Sequence, residues 1–146
     1  MGLKMALAIA GALLVAGCAT TPRQALTPMQ AVFAAANAAP HATSGVFEFK
    51  VRATGRDGDR LYLNSEADYR DQRNLSIAIL PDAQGELEQR YGPLAKGLIG
   101  RTISVRGAAR RVRINFTDGG APTGKYYYQT HVVVGTPSQI EVLPTR

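Results

Sequence analysis

The sequence predicts an all-β domain built as a small five-stranded barrel, with one short helical segment between the third and fourth strands. Three observations carry that expectation. From Gly45 onward apolar residues recur at every second position in short runs; Gly-, Asp- and Pro-bearing turns separate the runs; and one intervening segment has helical spacing instead. The chain has 146 residues, and the portion 45–146 suits one domain with one core.

The first strand is read from Phe47, Phe49 and Val51, which alternate with Glu48, Lys50 and Arg52. The Gly55-Arg56-Asp57-Gly58-Asp59 run that follows holds an Asp-Gly pair suited to the positive φ of a tight hairpin. Leu61 and Leu63 then return on the inner face of a second strand, and Leu75, Ile77 and Ile79 make a third. Glu86 to Tyr91 has the spacing of a helical turn or two, with Leu87, Tyr91 and Leu94 on one side, broken by Gly92-Pro93. Ile103 and Val105 resume the alternation. After Gly107-Ala108-Ala109, where a long strand can bend, it continues as Val112, Ile114 and Phe116 against Arg111, Arg113 and Asn115. A last long strand over 125–134 and a coda at Ile140 and Val142 complete the set. The expected core is Phe47, Phe49, Leu61, Leu63, Leu75, Ile77, Ile79, Ile103, Val105, Val112 and Ile114.

Three strands, a helical segment and two strands is the order of the OB-fold. Tyr62-Leu63-Asn64, Asp68-Tyr69, 74–79 (NLSIAI), 100–107 (GRTISVRG) and 137–142 (PSQIEV) are similar to the OB-fold nucleic-acid-binding-like domains of secreted and membrane-attached bacterial proteins. The resemblance spans about Gly45 to Leu143, with Arg101 where that group has Lys. It implies the fold and says little about function, because its motifs are glycines at bends and a proline-started final turn. Similarity in size and export also links the chain to periplasmic OB-fold proteins of envelope stress, which are soluble and carry no lipid.

The N-terminus is of a different kind. Lys4 precedes an uncharged run from Met5 that ends Val15-Ala16-Gly17-Cys18. This resembles a bacterial lipoprotein signal, implying a signal peptide over 1–17, a lipidated Cys18, and a lipid-anchored tether over 18–44 marked by Pro22, Pro28 and Pro40, in which a weak helical pattern over 29–36 offers a short helix as the alternative. The apolar run is shorter than the ~20 residues a spanning helix needs. Cys18 is the single cysteine, which excludes an intrachain disulfide. Ala19, not Asp, follows it, and by resemblance to enterobacterial lipoproteins this implies the outer membrane, facing the periplasm.

The formal charge of +6 becomes +5 once Lys4 leaves with the signal. That balance points to phosphate-bearing lipids, nucleic acid outside the cytoplasm, acidic polymers or another envelope protein as partners, alongside the membrane reached through Cys18. The densest basic feature runs from Arg101 to Arg113 with no acidic residue within it. Arg106, Arg111 and Arg113 are the candidate anion ligands and Tyr127 the candidate aromatic platform, with Tyr126, Tyr128, Tyr62 and Tyr69 as further aromatics. The bland alternative is a solvated basic face and tyrosines packed for stability. The two histidines, His41 and His131, make no metal motif, and no nucleophile has its base and elbow. The expectation is therefore a binding protein, not an enzyme, without metal or cofactor. The alternative is an assembly accessory that docks another envelope protein.

Overall fold

The computed structural model describes residues 24–145. The expected signal peptide and the lipidation site at Cys18 lie outside the described residues.

Helix α1 (Pro28–Ala38) begins at Thr27, whose Oγ1 accepts from the Gln30 N–H while the Gln30 side chain reaches back to the Thr27 N–H, with Pro28 pre-set for the first turn. Its inward face is Ala31 and Ala35, both fully buried, and small side chains let the helix lie close against the sheet. Just upstream, Leu26 exchanges backbone hydrogen bonds with β1 (Thr43–Lys50): its N–H donates to Val46 O at 2.8 Å and its carbonyl accepts from Glu48 at 3.0 Å. Thr43 Oγ1 donates to Ala34 O. The expected tether over 18–44 is thus corrected: from Leu26 on, these residues belong to the folded unit, because a capped alanine face can bury where a long amphipathic stripe is missing.

The remaining strands are β2 (Ala53–Asp57), β3 (Arg60–Asn64), β4 (Leu75–Ile79), β5 (Thr102–Asp118), β6 (Ala121–Val134) and β7 (Ile140–Val142). Helices α2 (Pro81–Tyr91) and α3 (Leu94–Gly97) occupy the expected helical segment. Pro81 starts α2, and Gly92 at φ 77° stops it, with Ala83, Leu87 and Leu94 buried. All strands join one mixed sheet in the order β1-β5-β6-β4-β3-β2, with β7 added to β5. β4 and β6 run parallel, and every other pair is antiparallel. The expected five-stranded barrel is therefore corrected to a β-rich domain with, among the described residues, seven strands, in which β1 and β2 end the pairing path without pairing each other. The first expected strand is divided at Val51-Arg52: the Val51 N–H bonds Arg101 O, whereas the Arg52 N–H bonds Asn64 O.

One apolar cluster draws from every strand except β2, and the sheet curls about it. Phe47, Phe49, Leu61, Leu63, Leu75, Ile77, Ile79, Ile103 and Val105 are buried as expected. Val112 and Ile114 are not, which corrects the expected core. β5 keeps its register against β1 and β6 through Gly107-Ala108-Ala109, so odd-numbered residues stay on the core side and even-numbered ones on the other. Val112 and Ile114 are half-buried on that second face. The closing Pro137–Gln139 turn is held by the Gln139 side chain, which accepts from Gly135 and Thr136 N–H and donates to the carbonyls of Arg106 and Val133.

A Cβ at Gly107 of β5 would sit 2.6 Å from Val132 Cγ1 of β6. Val132 is fully buried and β-branched, so it cannot swing aside. Gly107→Ala is expected to cost about 1–3 kcal/mol through overpacking, and Ile77→Ala about 2–5 kcal/mol through a cavity. Urea unfolding checks both; a Gly107→Ala chain as stable as the parent would refute the close approach.

Candidate functional site

β5 and β6 continue beyond the core as a two-stranded ribbon that turns at Gly119 and Gly120, both at positive φ. Because directly opposed residues share a face, the register sorts its side chains. Arg111 faces Thr130, Arg113 faces Tyr128 and Asn115 faces Tyr126 on one side; Val112 faces Gln129 and Ile114 faces Tyr127 on the other.

The first side is a basic and aromatic ladder. The Arg111 guanidinium carbon lies 3.6 Å from the centre of the Tyr128 ring, and that of Arg113 lies 3.9 Å from the Tyr126 ring. Tyr126 and Tyr128 meet edge to face at 5.6 Å. Each cation–π contact at such an exposed site contributes about 0.5–1 kcal/mol, enough to hold the forks flat on the rings. Their N–H edges stay free to donate: Arg113 spends its Nε on Asn115 Oδ1, and the Arg111 side chain has no hydrogen bond among the described residues. Neither belongs to the ion pairs Arg52–Glu66, Arg73–Asp71 or Arg90–Glu86.

The second side of the ribbon forms one wall of a cleft of about 500 Å³, whose floor is the outer face of β3, β4 and β6. Asn64, Ser76 and His131 stand in one row across those three strands. Tyr62 lies beside His131 with ring centres 5.7 Å apart, and Tyr127 packs on Phe116 at 5.2 Å. The loop between β3 and β4 brings Tyr69 to the cleft. Asp68 and Asp71 each accept a backbone N–H two residues on, and the Arg73 guanidinium grips both Asp71 oxygens. Those bonds from Arg73 hold the Asp71 carboxyl down at a pKa of about 2. Beneath the floor, Asn74 donates to Asn64 Oδ1, Ser76 Oγ and Tyr69 O and accepts from Ser65 Oγ and the Glu66 N–H, while Ser76 Oγ donates to Asn64 Oδ1 at 2.7 Å. No fully buried side-chain polar atom lacks a partner among the described residues, which makes this network stabilising rather than costly.

The residues expected to form one site are divided by this geometry. Arg111 and Arg113 converge, but Tyr127 is on the opposite side of the ribbon, so the expected pairing of these arginines with Tyr127 is corrected: their platforms are Tyr128 and Tyr126. Arg106 stands on an even position eight residues before Ile114, about 26 Å along the strand at ~3.3 Å per residue, and joins neither group. The signal for the true partners was present in the alternation, since Arg111 and Arg113 are both odd, and only the strand register was missing to match them with Tyr126 and Tyr128. Asn64, Gln129 and His131 had no sequence signal of their own. Among the described residues no three His, Cys, Asp or Glu side chains gather as a metal site.

No protein-family model and no curated protein matches the chain. Among solved structures it is similar to the crystal structure of a "putative aspartyl-tRNA synthetase from Leishmania major Friedlin", with 12% identity and a TM-score of 0.46. The match covers 90% of this chain and 23% of that one, so the chain spans under a quarter of the length of that protein.

His131 is the titratable group of the cleft floor. Burial in the cleft floor lowers its pKa from 6.5, and the positive charge of Arg60 lowers it further. The folded protein therefore binds this proton less readily than the unfolded chain. The sign follows from linkage: the contribution is intact above about pH 6.5 and is lost as pH falls from there towards the lowered folded value. Urea midpoints measured from about pH 7 down to pH 5 are expected to decline, and to decline less in His131→Gln. Superimposable profiles for the two proteins would refute the neutral, buried imidazole.

Proposed function

We propose that this chain is a non-enzymatic, lipid-anchored protein of the bacterial envelope, tethered through Cys18 at the outer membrane and facing the periplasm, whose β-domain binds an anionic ligand. The Arg111–Tyr128–Arg113–Tyr126 ladder carries the reading. Two guanidinium groups held over exposed rings, with donor edges free and no acidic partner, suit phosphate or carboxylate oxygens together with a stacking group. β1 and β2 run as halves of one bent strand through Val51 and Arg52, and the parallel β4–β6 pair has its place in an OB-fold-like arrangement with β7 as an addition. Those features support an OB-fold-like domain of the kind the motifs at 100–107 and 137–142 resemble.

The test uses a fluorescent oligothymidylate as the anionic probe, with the full chain in neutral detergent and polarisation read between about 50 and 200 mM salt. Binding at low salt is expected. The Arg111→Gln/Arg113→Gln chain should bind more weakly and lose about 1.4 from the salt slope, at ~0.7 per phosphate contact on a single strand. Tyr126→Ala and Tyr128→Ala should each cost about 1–3 kcal/mol, and Arg106→Gln should change nothing. Equal binding by the double variant would remove the ladder from the function and leave the docking of another envelope protein as the standing alternative.

A further inference from the structure

The cleft on the other side of the ribbon has a separate chemistry. Asn64 is 4% exposed and lines it. Its Oδ1 accepts from both Asn74 Nδ2 and Ser76 Oγ, which fixes the amide orientation and leaves Nδ2 as the outward end. That nitrogen has no acceptor among the described residues, and it is not sealed from the cleft, since no fully buried polar atom is unpaired. A nearly buried donor facing a cavity without a partner is a feature that a ligand acceptor would satisfy.

The opposite wall completes a donor and acceptor set. Gln129 Nε2 donates to Tyr127 Oη at 2.7 Å, so its Oε1 is the acceptor for His131 Nε2–H at 2.6 Å. That assignment leaves His131 Nδ1 as an acceptor and the Tyr127 hydroxyl proton as a donor. Three tyrosines, Tyr62, Tyr69 and Tyr127, supply the apolar surface. The charged lining residues are Arg56 and Asp57, of opposite sign, at the exposed end of β2, and Arg56 is already engaged by Gln84 Oε1. Nothing in the lining calls for a net charge on the ligand.

We infer that this cleft is a binding site for a neutral saccharide of about one or two rings, a size in keeping with small-molecule sites of about 300–1,000 Å³. Sugar hydroxyls both donate and accept, which answers Asn64 Nδ2, Tyr127 Oη and His131 Nδ1 together. The C–H faces of the ring pack on tyrosine. Tyr62 and His131, which both line the cleft, stand tilted at 59° and offer no pair of parallel faces for a flat base. A nucleotide would also bring a charge that this lining does not meet. The site stands apart from the arginine ladder and does not depend on it.

The experiment is saturation-transfer NMR and calorimetry on the full chain in a detergent without a sugar headgroup. The probes are glucose, N-acetylglucosamine, maltose, cellobiose and diacetylchitobiose, with thymidine monophosphate as the contrast. At least one saccharide is expected to bind, and Tyr127→Phe, which removes only a hydroxyl, should weaken it by about 2–10-fold. Tyr69→Ala, at an exposed loop position, should weaken it at least as much, while Arg111→Gln/Arg113→Gln should leave it unchanged. Matching thermal unfolding of the variants separates lost contacts from lost structure. No saccharide binding up to about 10 mM, binding that both tyrosine variants leave intact, or thymidine monophosphate binding in place of every saccharide would each overturn the proposal. Absence of oligothymidylate binding by the parent chain, with saccharide binding present, would count against the ladder alone.

Discussion

The approach of Val132 to Gly107 is the contact on which the rest of the molecule depends. It joins β5 to β6 at the edge of the core, at a separation that a single methyl group would forbid. From there both strands leave the core in unbroken register as far as Asn115, where the pairing first shifts. Period-two alternation then does two jobs with one pair of strands. The face that buries Ile103, Val105 and Ala109 emerges as Arg111 and Arg113, and the face that was solvent-side at Arg106 becomes the wall of a cleft at Val112 and Ile114. A slip of one residue at the Gly-Ala-Ala run would exchange the two faces, moving arginines into the cleft and valine and isoleucine into water.

A second constraint holds the cleft floor. The loop from Ser65 to Asn74 has no regular hydrogen-bond ladder, yet it must close a short gap between β3 and β4 over a buried polar patch. Asn74 resolves this by bonding outward to Tyr69 O, across to Asn64 and Ser76, and back to Ser65 and Glu66. Tyr69 is thus held by the same side chain that orients the Asn64 amide. Local turn chemistry at Asp68 and Asp71 narrows the backbone conformations left to the loop, so less entropy remains to be lost when the ring meets a ligand.

Much of the fold was legible because strands facing one core announce themselves by alternation. Phe47 and Phe49, Leu61 and Leu63, and Leu75, Ile77 and Ile79 all lie where the pattern puts them. Three features were legible only in part or not at all, each for a physical reason. Helix α1 buries alanines, whose contribution per residue is too small to give a strong periodic signal, although Thr27-Pro28 with Gln30 is a readable capping box. The division of the first strand at Val51-Arg52 reflects which neighbour each backbone group bonds, a property of pairing and not of the local residues. The switch of apolar positions from odd to even between Val105 and Val112 is visible in the sequence, where it suggests a bend in one continuing core strand. In the fold it marks the place where the core ends and the ribbon begins.

The same reasoning explains why Tyr127 looked like the partner of the arginines and is not. Three successive tyrosines on a strand must divide two to one between its faces, and composition cannot say which face meets Arg111 and Arg113. Register decides it, opposing Arg113 to Tyr128 and Ile114 to Tyr127. The outcome is a chemical separation with few intermediates. Guanidinium groups and two rings stand on one side, while the third ring, an amide and a neutral imidazole stand on the other. Strand pairing keeps Arg111 and Arg113 from the cleft, whose histidine is already disfavoured in its charged form by burial and then by Arg60. A cation added to that wall would raise the same penalty, so the low charge of the cleft and the high charge of the ladder follow from one alternation.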